Sequence, residues 1–344
     1  MEEEKETLGI MELVQADDEL RTAWEQLDES AQEMFRQIDE KKRVPDILND
    51  VMFKGVFDPE VKPEWLSGLI SSVLGRKVKI ISSLIKEGKM RSRHSKGMIL
   101  DIPVEFLDAE YNGEEIADVE IQRRGIQMPP KRAALYSAEL VTRQYAADVD
   151  EMKSEVDYDR VHPVHMIVIL EDTPPNLKKY RSCVHHFNQE SDTGIVSGPD
   201  FELLQYFHYV SLDVFRETRP RIARKLEKWM DFLSIRDVTE MMQFLAENPE
   251  FQPMYQKATE MLADRKELLN MFHSIFENED IAGSINLTNE SIIKRLNQTL
   301  ERKDQELRQT KHETGMALQK KDMEISEKDH QIAELQRRLA ELRH

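Results

Sequence analysis

At 344 residues the chain has room for two or more domains, and with 40% apolar and 33% charged residues it can build an ordinary core under a highly charged surface. A net charge of −18 excludes a protein that coats nucleic acid by general positive charge, and no apolar run reaches membrane-spanning length. A single cysteine, Cys183, excludes an internal disulfide framework; with the acidic start MEEEKET, it leads us to expect a cytoplasmic protein.

Residues 1–43 form an acidic helical extension whose intermittent stripe (Leu20, Trp24, Leu27, Phe35, Ile38) suits docking and suggests no chemistry. Residues 46–57, DILNDVMFKGVF, predict a helix burying Met52, Phe53, Val56 and Phe57. On it Asp50 and Lys54 lie one turn apart, where an exposed ion pair contributes about 0.3 kcal/mol. Residues 64–74 predict a second apolar helix stopped by Gly75, and Val78–Ile81 opens extended structure. Arg76, Lys77, Lys79, Lys86, Lys89, Arg91, Arg93 and Lys96 then face the single acid Glu87, a local patch suited to a phosphate backbone or simply to solvent.

The central stretch is residues 96–122. Leu100, Ile102, Val104 and Phe106 alternate with Asp101, Pro103 and Glu105, and Ala117, Val119 and Ile121 alternate with Asp118, Glu120 and Gln122. Asn112-Gly113 between them is a strong turn signal, so the runs predict a hairpin on which Asp101 and Glu120 converge on a hard cation. Pro103 removes a ladder donor and predicts an edge or a bulge.

Pro129-Pro130 ends the strands, and a helix is predicted from Lys131. Its Ala134, Ala138, Val141 and Tyr145 make a small-residue face expected to pack on the sheet. Arg132, Tyr136, Glu139 and Arg143 make another, suited to phosphates or to solvent. Val164–Leu170 is apolar and β-branched enough for a strand covered on both sides, and 180–187 and 203–215 are further strand candidates. His162, His165, His185 and His186 are read as non-ligands because strand geometry sends the members of each pair to opposite faces. The mixed α/β order brings the hairpin acids to one edge of a central sheet.

From Arg216 the pattern is helical, with Trp229, Met230, Phe232 and Leu233 as core. From about residue 290, Ile293, Leu300 and Leu307 repeat every seven, as do Leu318, Ile325, Ile332 and Leu339 after a stutter. Residues 301–344 carry ten acids and ten bases, so the whole of −18 belongs to residues 1–300. The tail is expected to be a coiled coil that joins copies of the chain, weakened by Lys321 and Lys328.

These pieces resemble the PD-(D/E)XK nuclease family of transposases, the recombination-promoting nuclease group. The resemblance rests on Asn49-Asp50 with Phe53-Lys54 and Phe57, Leu100-Asp101-Ile102, and Glu120-Ile121-Gln122. It continues in Tyr136, Gln144, Asp157-Tyr158, Pro163 with its strand, and Trp229 with Phe232-Leu233, over roughly residues 46–276. It implies a restriction-endonuclease-like α/β core with a mixed central sheet, here at 44–215 between the extension 1–43 and a helical region 216–289, with the coiled coil at 290–344. It implies DNA as substrate, Mg²⁺ (or Mn²⁺) as cofactor, Asp101 and Glu120 as metal ligands with the Ile121 carbonyl as a third, and Asp50 assisting. Gln122 stands where other nucleases of the superfamily carry lysine and would position the attacking water. Lys89, Arg91, Arg93, Lys96, Arg132 and Tyr136 are the candidate DNA contacts. Two other functions stay open on the residues alone: an inactive relative that binds DNA or protein, and a coiled-coil interaction protein.

Overall fold

Alternation of apolar residues around residues 101–124 and the continuous apolar run at 164–170 dictate a sheet. The computed structural model describes residues 8–84, 101–109, 113–124, 130–151, 160–196 and 202–275, with single positions 328 and 335. Residues 1–279 form one compact unit and 280–344 a second. The coiled-coil expectation lies outside the described residues, save for Lys328 and Leu335, both helical.

Three short helices open the chain: α1 (Ile10–Ala16), α2 (Asp18–Gln26) and α3 (Glu29–Asp39). Asp17 and Asp28 cap α2 and α3 by accepting backbone N–H groups their first turns leave unpaired. The stripe read from the sequence is buried throughout, and Trp24 and Phe35 both pack on Phe272. Helix α4 (Asp50–Val56) begins under an Asn49 cap, and α5 (Pro63–Leu74) ends at Gly75 with φ 71°, a left-handed stop that glycine adopts without strain.

The sheet follows: β1 (Val78–Ser83), β2 (Ile102–Asp108), β3 (Glu114–Arg124), β4 (Val164–Asp172), β5 (Val184–Phe187) and β6 (Gln205–Ser211). Its order is β1-β2-β3-β4-β6-β5. The β2–β3 hairpin is antiparallel, whereas β3–β4 and β4–β6 are parallel, so the sheet is mixed. Helix α6 (Pro130–Glu151) makes the crossover between the parallel strands β3 and β4. The short α7 (Pro175–Lys178) lies between β4 and β5, and past the last strand come α8 (Leu212–Thr218), α9 (Arg224–Ser234), α10 (Val238–Glu247), α11 (Gln252–Leu262) and a further helix over 265–275.

Strand alternation divides the core in two. Ile102, Val104, Phe106, Ala117, Val119 and Ile121 face the larger cluster, which includes α4, α5 and the C-terminal helices. Ile116, Val164, Met166 and Val168 face the smaller one, closed by Ala133, Tyr136 and Leu140 of α6.

The structure redraws three local expectations. The face of α6 that meets the sheet carries Ala133, Tyr136 and Leu140, whereas Ala138 and Tyr145 are exposed; the large Tyr136 ring gains more from burial than small side chains do. Strand β2 is interior, and the irregularity expected near Pro103 lies on its neighbour, where β1 slips register between Ile80 and Ser82. The acid-bearing strands β2 and β3 are therefore second and third in the sheet. Residues 205–211 form the strand expected within 203–215, and the chain turns helical at Leu212.

Candidate active site

The hairpin register sets the site. Ile102 pairs with Val119 in antiparallel fashion, so Asp101 lies across from Glu120, and Pro103 faces Asp118. Asp118 and Glu120 are two apart on one strand and share a face. The hairpin thus gathers three carboxylates over a few ångströms of sheet, on the side that α6 covers.

Backbone amides hold two of them. The Asp101 N–H donates to Glu120 Oε1 at 3.2 Å, and the Ile121 N–H donates to Asp101 Oδ2 at 3.2 Å. The Gln122 amide nitrogen donates to Glu120 Oε2 at 3.4 Å. Glu120 and Asp118 are 2% and 0% exposed. Neither Asp118 oxygen makes a hydrogen bond of ordinary geometry, although the Glu120 carboxyl and the Ile102 amide are close enough to act on it.

Charge does not balance here. Burial, reinforced by the Asp101 charge, pushes Asp118 up to about 7. Burial, then the Asp101 and Asp118 charges, raises Glu120 well above the ordinary glutamate range, and Arg132 partly counters this. Burial also raises Asp101, against the pull of Lys54. Three carboxylates, Asp118 and Glu120 buried and Asp101 nearly so, all offer oxygen and fit a hard divalent cation, which would replace protons and supply the missing positive charge.

Helix α4 supplies what the sequence reading overlooked. Lys54 Nζ lies 2.9 Å from Asp101 Oδ1 and 2.9 Å from Asp50 Oδ1. Burial works against its charge, but the Asp101 and Asp50 carboxylates more than offset that and raise its pKa. The i,i+4 spacing disclosed the Asp50 pair. The longer contact to Asp101 follows only from α4 packing beside the hairpin, which spacing does not show.

Of the other sequence candidates, Arg132 and Tyr136 stand together on α6. Arg132 donates to the Tyr136 hydroxyl at 2.9 and 2.6 Å and lies 5.1 Å from its ring centroid. Both Tyr136 and Glu120 feel the Arg132 charge, which ties the pair to the acidic face. Ile121 turns its side chain into the opposite core. Gln144 clamps the chain entering β4, accepting from the His162 N–H at 2.8 Å and donating to its carbonyl at 3.1 Å. Lys89, Arg91, Arg93, Lys96, Asp157 and Tyr158 lie outside the described residues.

The histidines are more connected than the sequence suggests. Glu105, Glu114 and His162 bring ligand-type atoms within 4.8 Å of one another toward the turn end of the hairpin. Glu114 is exposed, and exposed groups of this kind are common without an ion.

On the sheet face opposite Glu120, Glu115 Oε2 lies 2.6 Å from His165 Nε2. His165 Nδ1 lies 3.0 Å from His208 Nε2, and His208 Nδ1 lies 2.8 Å from His186 Nδ1. Arg76 pairs with both Glu115 and Asp108. One set of neutral tautomers satisfies the whole chain, each ring donating one step towards Glu115. Burial, then the charges of His165, His186 and Arg76, lowers His208 to about 2, which fits the uncharged state.

No curated protein and no solved structure matches the chain significantly. The model of one protein family does, described as PD-(D/E)XK nuclease family transposase, over residues 47–287. That span takes in α4, the hairpin acids, the α6 pair and the helices behind the sheet, and with it the chain belongs to the PD-(D/E)XK nuclease family transposases.

Proposed function

We propose that the protein hydrolyses DNA phosphodiester bonds as a divalent-metal-dependent endonuclease of the recombination-promoting type. The observation that carries this reading is the single sheet face on which Asp101, Asp118 and Glu120 meet with too few donors to neutralise them. Asp101 and Glu120 would hold Mg²⁺, or Mn²⁺ in its place, with the Ile121 carbonyl as a third ligand. Such an ion supplies Lewis acidity and a water of lowered pKa.

The chain's own residues do the rest. Gln122 donates its amide hydrogen to Glu120, which leaves its carbonyl oxygen to accept from the attacking water and aim it. Asp50 acts through Lys54 rather than from a position of its own beside Glu120. Arg132 and Tyr136, with Lys89, Arg91, Arg93 and Lys96 of the basic segment, meet the DNA backbone and neutralise phosphate charge. The recombination assignment stops at cleavage, since no side chain here is offered as a covalent nucleophile. We further propose that residues 290–344 join copies of the chain, so that two single-strand cuts fall on one duplex in the cytoplasm. No described helix is long and apolar enough to cross a membrane.

Supercoiled plasmid incubated with Mg²⁺, Mn²⁺ or EDTA tests this reading, with Asp101→Ala and Glu120→Ala beside the wild type. Nicking or linearisation that needs metal and vanishes in both variants is the expected result. DNA bound tightly without metal and never cut would instead identify an inactive relative.

A further inference from the structure

The motif that carries lysine elsewhere in the superfamily carries the neutral Gln122 here, yet a lysine stands on the acids. It comes from the side, off helix α4. Lys54 Nζ occupies Asp101 Oδ1 at 2.9 Å, while Asp101 Oδ2 is taken by the Ile121 amide at 3.2 Å. Both oxygens of the first ligand are therefore engaged. A cation arriving at Asp101 competes with these partners, and most directly with the one that carries like charge, the Lys54 ammonium.

The partners are not equally held. The Ile121 amide belongs to β3, locked between two neighbouring strands. Lys54 is a flexible four-carbon stem with its side chain 31% exposed, free to swing on its own rotamers. It also has somewhere to go. Asp50, one turn back on α4 and 40% exposed, already holds the same ammonium at 2.9 Å.

We propose that Lys54 is the protein's own resident cation at Asp101, which a divalent ion displaces while Asp50 retains the ammonium beside the site. This rests on the reading of Asp101 and Glu120 as metal ligands. It gives Asp50 a positioning role through Lys54 instead of a place in the coordination shell. It also has an unusual consequence, since the same lysine weakens metal binding and serves the loaded enzyme. Displaced from Asp101 but tethered by Asp50, its charge faces the reacting phosphate and provides what Gln122 lacks. Metal affinity and cleavage rate are then opposed in Lys54 variants.

Calorimetric titration of the full chain with MnCl₂ tests this in wild type, Lys54→Met, Lys54→Arg, Asp50→Asn, the Asp50→Asn/Lys54→Met double variant and Asp101→Asn. Lys54→Met should bind Mn²⁺ about tenfold more tightly, a change of about 1.4 kcal/mol, yet cleave more slowly at saturating metal. Lys54→Arg should stay close to the wild type in affinity. Asp50→Asn should bind several-fold more weakly, because a displaced lysine has lost its second partner, and most of that loss should vanish once Lys54 is methionine, leaving only the through-space effect of the Asp50 charge on Asp101.

Affinity unchanged or weaker in Lys54→Met overturns the proposal, as does an Asp50→Asn effect that survives undiminished in the double variant. Should Lys54→Met fail to fold, undiminished Mn²⁺ affinity in Asp50→Asn overturns it equally. Asp101→Asn separates the two levels of failure. Binding lost there while Lys54 has no effect sinks the displacement alone, and binding retained there sinks the metal site and the displacement together.

Discussion

Strand β3 presents two polar clusters, one on each face, and they are opposites. On one face Glu115 receives Arg76 and His165, Asp108 receives Arg76, and the chain continues through His208 to His186. Hydrogen bonds and an opposite charge hold Glu115 down at about 2 although burial works against this. On the other face Asp118 and Glu120 are more deeply buried, have fewer donors, and are both pushed upward. A buried ionisable cluster that completes its own bonds stabilises the fold. One left short of positive charge is the candidate for a ligand. Residues three and five positions apart on one strand, and so on opposite faces, thus serve different ends, and burial alone would not separate them.

The comparison breaks first at the acids. Asp101→Asn or Glu120→Gln should reduce plasmid cleavage by on the order of a thousandfold, the loss of several kcal/mol of metal-borne stabilisation. Cleavage near wild-type rates in a folded variant of either would mean the acidic face is not the reactive one. Gln122→Ala comes next: if its amide only aims the water, kcat should fall about a hundredfold with Mn²⁺ affinity nearly unchanged, and a collapse of affinity would make it a ligand.

The far face should answer in stability instead. His208→Phe leaves His165 and His186 each short of a partner and should cost about 1–3 kcal/mol in chemical denaturation, while cleavage per folded molecule holds. A folded His208→Phe protein without activity would join the two faces functionally and undo the distinction.

The smallest expected effect is in pH. Asp118, raised to about 7 in the folded protein from 3.8, favours folding below its unfolded pKa and loses that contribution as pH rises towards 7. His208, lowered to about 2 from 6.5, does the reverse: its contribution is present above 6.5 and is lost as pH falls. Between about pH 4 and 6.5 the faces pull against each other. Asp118→Asn should therefore make the metal-free protein lose thermal stability more steeply on acidification, and an unchanged slope would show that Asp118 does not hold the proton its surroundings favour.

Much of this was legible in the sequence because period-2 alternation reports the face of every residue on a paired strand. Asp101 opposite Glu120, the helix over 64–74 stopped at Gly75 and the buried strand at 164–170 all follow from local pattern. What escaped depends on packing between distant segments. Lys54 reaches Asp101 only because α4 lies beside the hairpin, and an i,i+4 pair of ordinary appearance conceals this. His165, His186 and His208 meet because β5 and β6 close one side of the sheet, which spacing within a single segment does not show. The orientation of α6 was missed since a small-residue stripe and a tyrosine stripe compete for one surface and only the sheet decides between them.

On the proposed function the Glu120 face takes a divalent cation and the Glu115 face does not. Thermal melting of wild type, Glu120→Gln and His208→Phe with and without Mg²⁺ at pH 7.5 separates the two faces. Mg²⁺ should raise the melting temperature of the wild type and of His208→Phe by the same amount and leave Glu120→Gln unmoved. An equal Mg²⁺ shift in Glu120→Gln, or its loss in His208→Phe alone, would contradict it.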